Sequence, residues 1–304
     1  MKKHSQKLIL ALLPILIIGL FSACDTVENP VLPRPKTSVI DTAALDRLTN
    51  TGYVKKVLLE DYTGHTCGNC PRAAEAADTL KKKYGNNIIE MAVHVGYFAV
   101  PADLSLGGDS LYTLDLRSTT GNAYDDFYGV SNQGLPKGIV NRAIPTGKNQ
   151  AVINWSEWAA AVVEQFAIAP AVGLKLAALY AKDTRVLTFK VQTQILRNLS
   201  APTNLVIYLV EDSLVGAQTD YKHSPDHTRT GYVFNHVLRT SLNGTWGEPL
   251  TIFAVPASDK TINRYYSYQI PAEYRARHCR LIAIVTDTQT KTVIQAEEVL
   301  VPEN

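Results

Sequence analysis

Two cysteines separated by two residues, Cys67 and Cys70, are the side chains whose spacing most directly indicates chemistry in this chain. They follow a predicted buried strand and begin a segment with helical periodicity. The unpaired backbone N–H groups and the dipole of a helix N-terminus favour the thiolate, which is the reactive form of cysteine. This placement predicts a reversible disulfide, with Cys67 as the nucleophile and the more exposed sulfur, and Cys70 as the residue that resolves the mixed disulfide.

Two titratable side chains precede the pair. His65 could stabilise the Cys67 thiolate when protonated, or donate to it, and the alternative is a solvated turn residue. Strand alternation turns either Glu60 or Asp61 inward, but not both. The alternative for Asp61 is a surface acid near the end of a strand.

Other uses of the cysteine pair have weaker support. A c-type haem needs a histidine directly after the second cysteine, where Pro71 stands. Structural zinc needs two more ligands, and neither Cys279 nor the scattered histidines offer a paired spacing. Copper held with the help of His94 is a similarly weak alternative, and His94 is interpreted as a packed residue at a strand end. The sequence therefore predicts no metal and no cofactor, with Cys279 as a buried small apolar residue.

A polar stretch later in the chain contains a second group of candidate ligands. It could form a metal or ligand site, and the alternative is a solvated loop with one buried histidine. The residues are His223, Asp226, His227 and His236.

The N-terminus has the features of an export signal. A basic start is followed by an apolar run from Leu8 to Phe21, which is too short to span a membrane and typical of a signal peptide. Small residues before Cys24 resemble a bacterial lipobox, which predicts a signal at 1–23 and a lipid on Cys24. The alternative is ordinary signal cleavage with Cys24 as a spare thiol. Residues 24–50 are predicted to form a tether, which is extended at 25–35 because the density of prolines there excludes helix.

The charge balance and the export signal bound the partners. The formal net charge is +2, and cleavage before Cys24 removes three lysines and no acid, which leaves −1. A nearly neutral chain lacks the basic surface that a nucleic-acid partner needs. Export places the cysteines in an oxidising compartment, so the pair is expected to be oxidised unless a reductant acts on it.

The remaining pattern changes character near residue 169. Before it, a strand at 54–62, a helix at 71–84 and a strand at 88–95 form a βαβ unit, and further helices are expected at 122–128 and 155–166. After it, β-forming runs separated by turns predict a sandwich. These runs are 171–180, 185–196, 204–211, 250–255, 264–270, 280–286 and 292–301, with 212–247 unassigned.

The order of these features resembles the thioredoxin-like fold. A strand, a Cys-x-x-Cys that opens a helix, a second strand and the later Gly134-Leu135-Pro136 follow one another as they do in that fold. The resemblance implies that the bond before Pro136 is cis and that Pro136 lies beside the disulfide. It also implies that Asp61, six positions before Cys67, is the buried acid that could accept the Cys70 proton.

Two longer motifs resemble a narrower family, the twenty-eight-kilodalton outer-membrane proteins, which are Bacteroidetes lipoproteins. The motifs cover 60–71 and 134–142. The resemblance implies a lipid-anchored outer-membrane protein that faces the periplasm or the cell surface. Thr66 stands where many thioredoxins have tryptophan, Gly-Asn replaces Gly-Pro between the cysteines, and 145–150 leaves little room for a regular fourth strand.

Together these features predict an α/β thioredoxin-like domain at 51–168 and an all-β immunoglobulin-like sandwich at 169–304. The predicted function is thiol–disulfide exchange with the thiols or disulfides of exported proteins, while the sandwich acts as a spacer or contacts another envelope protein. The direction of the redox chemistry is left open. The alternative is a non-enzymatic binding or assembly lipoprotein in which Cys67 and Cys70 form a structural staple, although so short a loop constrains the unfolded chain only weakly.

Overall fold

Helices and strands alternate in the first half of the chain, and strands dominate the second half. The computed structural model describes residues 41–48, 52–199, 201–250 and 260–302. Its α-helices are α1 (Thr42–Leu48), α2 (Cys70–Tyr84), α3 (Thr119–Tyr128) and α4 (Trp158–Phe166). Its strands are β1 (Val57–Thr63), β2 (Ile88–His94), β3 (Lys137–Val140), β4 (Val172–Ala181), β5 (Val186–Ile195), β6 (Thr203–Glu211), β7 (Leu214–Thr219), β8 (Thr228–Phe234), β9 (Val237–Ser241), β10 (Glu248–Pro249), β11 (Thr261–Gln269), β12 (Cys279–Asp287) and β13 (Val293–Leu300).

The predicted βαβ unit forms around β1, whose seven residues are all buried. Strand β2 pairs with β1 in parallel, and β3 pairs with its other edge in antiparallel orientation. Helix α2 connects β1 to β2 and packs through Ala73, Ala77 and Leu80 against the apolar side chains of both strands. A strand that is covered on both faces can bury every side chain, whatever the alternation of its pattern.

Strands of both halves of the chain share one sheet. Its order is β13-β12-β6-β9-β2-β1-β3, with β10 paired to β6. The junction is narrow, because β9 pairs with β2 only at Ala92 and Val237. Residues Ser38–Asn304 form one compact unit. The sequence boundary at 168/169 therefore separates consecutive elements, but it does not separate two sheets.

A smaller sheet of β11, β5 and β4 covers one face of the second half. Its core side chains, such as Leu174 and Phe189, pack in one apolar cluster with Ile207 and Leu281 of the large sheet. Phe189, Ile207 and Leu281 are fully buried in this cluster. The strands predicted for the second half, apart from the one at 250–255, are thus present as two facing layers, while the names thioredoxin-like and immunoglobulin-like stay predictions.

Part of the predicted tether is helical. Helix α1 buries Leu45 completely, and Asp46 accepts a hydrogen bond from the Tyr265 hydroxyl at 2.7 Å and pairs with Lys190 at 2.9 Å. Residues 42–48, which fall within the range predicted as a tether, are therefore held against the smaller sheet, because this segment has an apolar anchor and polar partners there. The predicted signal, Cys24 and the proline-rich part of the tether lie outside the described residues.

Several other predictions can be compared directly. The helix expected at 122–128 begins earlier, at Thr119, and the one expected at 155–166 starts with a short 3₁₀ turn before α4. A regular fourth strand is missing where the sequence left little room, since only Gly138 and Ile153 form a bridge there.

The unassigned stretch 212–247 contains β7, β8 and β9, and most of the strand expected at 250–255 lies outside the described residues. None of the described helices combines the length and the apolar character needed to cross a membrane.

Candidate functional site

The two cysteines form a disulfide at the entrance of α2. Cys67 lies in the turn between β1 and α2, and Cys70 is the first residue of the helix. The turn is closed by hydrogen bonds from the Cys67 amide to the Gly64 carbonyl at 3.0 Å and from the Cys70 amide to the Cys67 carbonyl at 3.2 Å. Pro71 suits the start of a helix because the first N–H groups have no intrahelical partner.

Both sulfurs are closed off from solvent. Cys67 exposes 3% of its surface and Cys70 exposes 1%. The cover is the β7–β8 hairpin (Leu214–Phe234), whose Gln218 side chain donates to the Cys67 carbonyl at 3.0 Å. Cys67 is thus the slightly more exposed of two buried residues, because a segment that the sequence left unassigned lies over the turn, and its role as the nucleophile stays a prediction.

The Leu135–Pro136 peptide bond is cis, as the resemblance implied. Pro136 lines an open cavity of about 420 Å³ together with Asn69, which lies between the two cysteines. Arg72, Lys137 and Trp155 complete much of the wall. The proline loop and the cysteine turn therefore share one recess of the surface.

Glu60 and Asp61 are both buried, on opposite faces of β1. Glu60 accepts hydrogen bonds from Arg142 at 2.7 and 3.0 Å, and neither side chain of this ion pair is exposed. The expectation that only one of the two acids points inward is wrong, because both faces of the strand are covered. The interpretation of Asp61 as a surface acid is wrong for the same reason.

Asp61 lies in a small cavity of about 100 Å³ that Cys70 also lines. Its Oδ1 atom has no hydrogen-bond partner among the described residues. Burial, and then the nearby Glu90 carboxyl, raise the pKa of Asp61 from 3.8 to about 8. This carboxyl is therefore protonated at neutral pH, beside the cysteine whose proton it was predicted to exchange.

Five further titratable side chains line the same cavity: Asp78, Glu90, His94, Tyr232 and His236. Burial raises the pKa of Glu90 and lowers the pKa of His94 to about 3. Burial by itself would lower the pKa of His236. The carboxylates of Asp212, which lies 3.2 Å from the Nδ1 atom of His236, and of Glu90 outweigh this effect, so the pKa of His236 is raised. Glu90 was missed by the sequence reasoning. Glu90 could have been found from the parallel pairing of β1 with β2. Glu90 pairs with Leu59, and Leu59 and Asp61 lie on the same face of β1 because they are two residues apart.

His65 is buried rather than solvated. Its ring stacks on Tyr112 with the ring centres 5.7 Å apart, and neither ring nitrogen has a hydrogen-bond partner within the described ranges. Burial lowers the pKa of His65. The solvated interpretation is therefore wrong, and a protonated His65 that stabilises a thiolate is disfavoured at neutral pH.

The other candidate ligands are not brought together. His236 contacts Asp212, whereas His227 lies near Tyr221 in the hairpin turn, with the ring centres 6.0 Å apart. No group of three or more metal-ligating side chains occurs within the part of the chain that the structure describes. Cys279 is free and fully buried, as predicted.

Comparison with known proteins places the chain in a family. The family model for outer membrane protein Omp28 matches residues 121–304, which is more than half of the chain. The chain belongs to the Omp28 family. None of the curated proteins matches it.

Solved structures with a similar fold include two proteins of low sequence identity. HBP35 of Porphyromonas gingivalis is 17% identical, with a TM-score of 0.61 over 83% of this chain and 77% of that one. Protein AGR_C_4864 from Agrobacterium tumefaciens is 13% identical, with a TM-score of 0.50 over 84% of this chain and 98% of that one. A domain of the outer membrane lipoprotein Omp28 from P. gingivalis is 24% identical over 44% of this chain and 90% of that one, with a TM-score of 0.30. The first two similarities show that this Omp28-family chain shares its fold with them.

Proposed function

We propose that this Omp28-family protein exchanges disulfides with exported proteins through Cys67 and Cys70. The observation that carries the proposal is the disulfide at the start of α2, with the protonated Asp61 carboxyl in the cavity that Cys70 lines. A proton donor with a pKa near the working pH is suited to a thiolate that is released and taken up again.

The reaction can be written from the oxidised state. A thiolate of a reduced partner attacks the Cys67 sulfur, the Cys67–Cys70 bond breaks, and Cys70 leaves as a thiolate that receives a proton from Asp61. A second partner thiolate then attacks the partner sulfur of the mixed disulfide and releases Cys67 as a thiolate. Two electrons pass from the partner to this chain, and the reverse sequence returns them.

A second candidate function is a binding or assembly protein in which the disulfide is a structural staple. The burial of both sulfurs favours it, because a staple needs no access for a partner. The two functions predict different reduction potentials. Exchange proteins lie at about −270 to −120 mV, whereas structural disulfides of secreted proteins lie below about −300 mV.

The test is a redox titration of the full chain in defined dithiothreitol buffers. The thiols of Cys67 and Cys70 are alkylated at each potential and quantified by mass spectrometry of their peptides, which separates them from Cys24 and Cys279. A midpoint inside the range of exchange proteins supports the proposal. A bond that stays closed until conditions are more reducing than about −300 mV favours the staple.

Membership of the family makes this an outer-membrane protein, and we propose that a lipid on Cys24 holds it there. The lipobox-like sequence before Cys24 supports this anchor. Incorporation of a labelled fatty acid into the chain, and its loss in Cys24→Ser, is the expected result. Equal labelling of both chains would exclude Cys24 as the anchor.

A further inference from the structure

We infer that the β7–β8 hairpin occupies the surface on which an extended polypeptide partner must lie, so that the partner reaches Cys67 only after displacing the hairpin. The inference rests on the proposed exchange function. It names the regulation of that site and the kind of partner that the site accepts.

The hairpin is bonded to the cysteine turn through its backbone. The Thr219 amide donates to the His65 carbonyl at 2.8 Å, and the Tyr221 amide donates to the Gly68 carbonyl at 3.0 Å. The Gln218 side chain donates to the carbonyls of Gly64 and Cys67 at 3.3 and 3.0 Å. Four carbonyls of one short turn therefore accept hydrogen bonds from a single covering segment.

The aromatic ring of Tyr221 adds a further cover to the turn. A Cβ atom placed on Gly68 would overlap this ring, so the ring lies directly against the turn between the cysteines. Yet 58% of Tyr221 is exposed. The ring therefore covers the turn from outside and is not part of a deeper core.

An ion pair fastens the hairpin to α2. Arg72 donates to both carboxylate oxygens of Asp220, at 2.9 and 3.1 Å. Such two-point, charge-assisted bonds are stronger than neutral ones and fix geometry. Asp220 directly precedes Tyr221, and Arg72 lies two residues after Cys70. Loss of the ion pair should therefore loosen the hairpin where it covers the disulfide.

The hairpin is packed at its base, where Leu214, Tyr232 and Phe234 join Leu116 and Val237 in an apolar cluster, and it is less firmly held elsewhere. Strands β7 and β8 form a separate two-stranded sheet, and Val215 and Val233 are exposed on it. Two-stranded hairpins are marginal by themselves, and regions that bury little apolar surface open more readily than the core. We therefore expect the segment around Asp220 and Tyr221 to open while the apolar base of the hairpin stays packed.

The bonding pattern indicates the kind of partner. The two backbone donors, at Thr219 and Tyr221, are two residues apart, which is the repeat of an extended strand. Any polypeptide in an extended conformation can offer the same amides to the carbonyls that the hairpin releases. A partner segment of this shape could replace the backbone bonds of the hairpin one for one.

The test weakens the ion pair with Asp220→Asn in the full oxidised chain. Amide hydrogen exchange at Tyr221 reports hairpin opening. The rate at which dithiothreitol reduces the disulfide reports access to the sulfurs. A short unstructured peptide with one reduced cysteine tests the polypeptide partner, and its mixed disulfide with Cys67 is trapped by acid and detected by mass spectrometry.

Asp226→Asn, in the same hairpin turn, is the matched control because, among the described residues, Asp226 bonds only locally, to Thr228.

We expect Asp220→Asn to raise all three rates about tenfold or more, because charge-assisted bonds are lost, while Asp226→Asn stays near the unmodified chain. Faster exchange at Tyr221 without faster reduction or peptide attack would overturn the inference. Faster reduction by dithiothreitol without any peptide adduct would support the conclusion that the hairpin covers the disulfide, but it would refute the proposed exchange function. If Asp220→Asn does not fold, Arg72→Gln breaks the same pair from the helix side, and unchanged exchange at Tyr221 in that variant would also overturn the inference.

Discussion

The substitution Asp61→Asn should change how the stability of the oxidised chain depends on pH. The pKa of Asp61 is about 8 in the folded chain against an ordinary value of 3.8. From about pH 4 to pH 8 the folded chain therefore keeps a proton that the unfolded chain releases, so the free energy of unfolding falls as the pH rises. The loss is about 1.4 kcal/mol per pH unit and reaches about 4 kcal/mol at pH 7.

The assay is urea unfolding of both chains at closely spaced pH values from 4 to 8, with the disulfide intact. The substitution itself changes the free energy of unfolding by an amount that does not depend on pH. The informative quantity is therefore how the difference in the free energy of unfolding between Asp61→Asn and the unmodified chain changes with pH. This difference also cancels shifted groups that do not interact with Asp61, such as His94, whose low pKa destabilises the folded chain as the pH falls below 6.5. Glu90 interacts with Asp61 and its raised pKa acts with the same sign, so it contributes to the difference as well. Asp183→Asn, at an exposed turn, is the control.

The expected result is a difference that grows by about 4 kcal/mol in favour of Asp61→Asn between pH 4 and pH 7. The control should show a flat difference. A flat difference for Asp61→Asn as well would mean that Asp61 is ionised in the folded chain at neutral pH. That result would refute the assignment of Asp61 as the proton donor to Cys70.

Two further predictions concern stability and are read from urea unfolding at pH 7. Arg142→Met leaves the Glu60 carboxylate buried without its partner and should lower the free energy of unfolding by about 3–5 kcal/mol, whereas adding Glu60→Gln should recover part of the loss. A double variant less stable than Arg142→Met would contradict this reading. Gly138→Ala places a methyl group inside contact distance of the Trp158 ring and should cost about 1–3 kcal/mol, while Gly231→Ala, with open space around it, should stay within about 0.5 kcal/mol. If both substitutions changed the free energy of unfolding by the same amount, β3 would have to shift at Gly138 to make room for the methyl group.

The local signals of the first half were sufficient to predict its elements. The apolar run before Cys67, the periodicity of 71–84 and the lysines before Gly85 correspond to β1, α2 and its end. These features depend on neighbours in sequence, whose spacing follows from strand and helix geometry.

The cover over the cysteines could not be predicted in this way. It depends on Gln218 and Tyr221, which are some 150 residues away from the turn that they bond. Their segment carries no strong periodicity, and pairing between distant segments is decided by the whole sheet order. The same reason explains the burial of both Glu60 and Asp61, because alternation says which face a side chain takes but not whether that face is covered.

The most direct test of the central claim is a covalent trap in the full chain, expressed in cells. In Cys70→Ser the Cys67 thiolate can still attack a disulfide of a partner, which is the reverse direction of the proposed exchange, but the Cys70 thiol that would release the resulting mixed disulfide is missing. The account predicts exported proteins linked to Cys67 through a bond that dithiothreitol breaks, and no such adducts in Cys67→Ser/Cys70→Ser. A Cys70→Ser chain that folds, with a free Cys67 thiol that alkylates but never carries a partner, would contradict it.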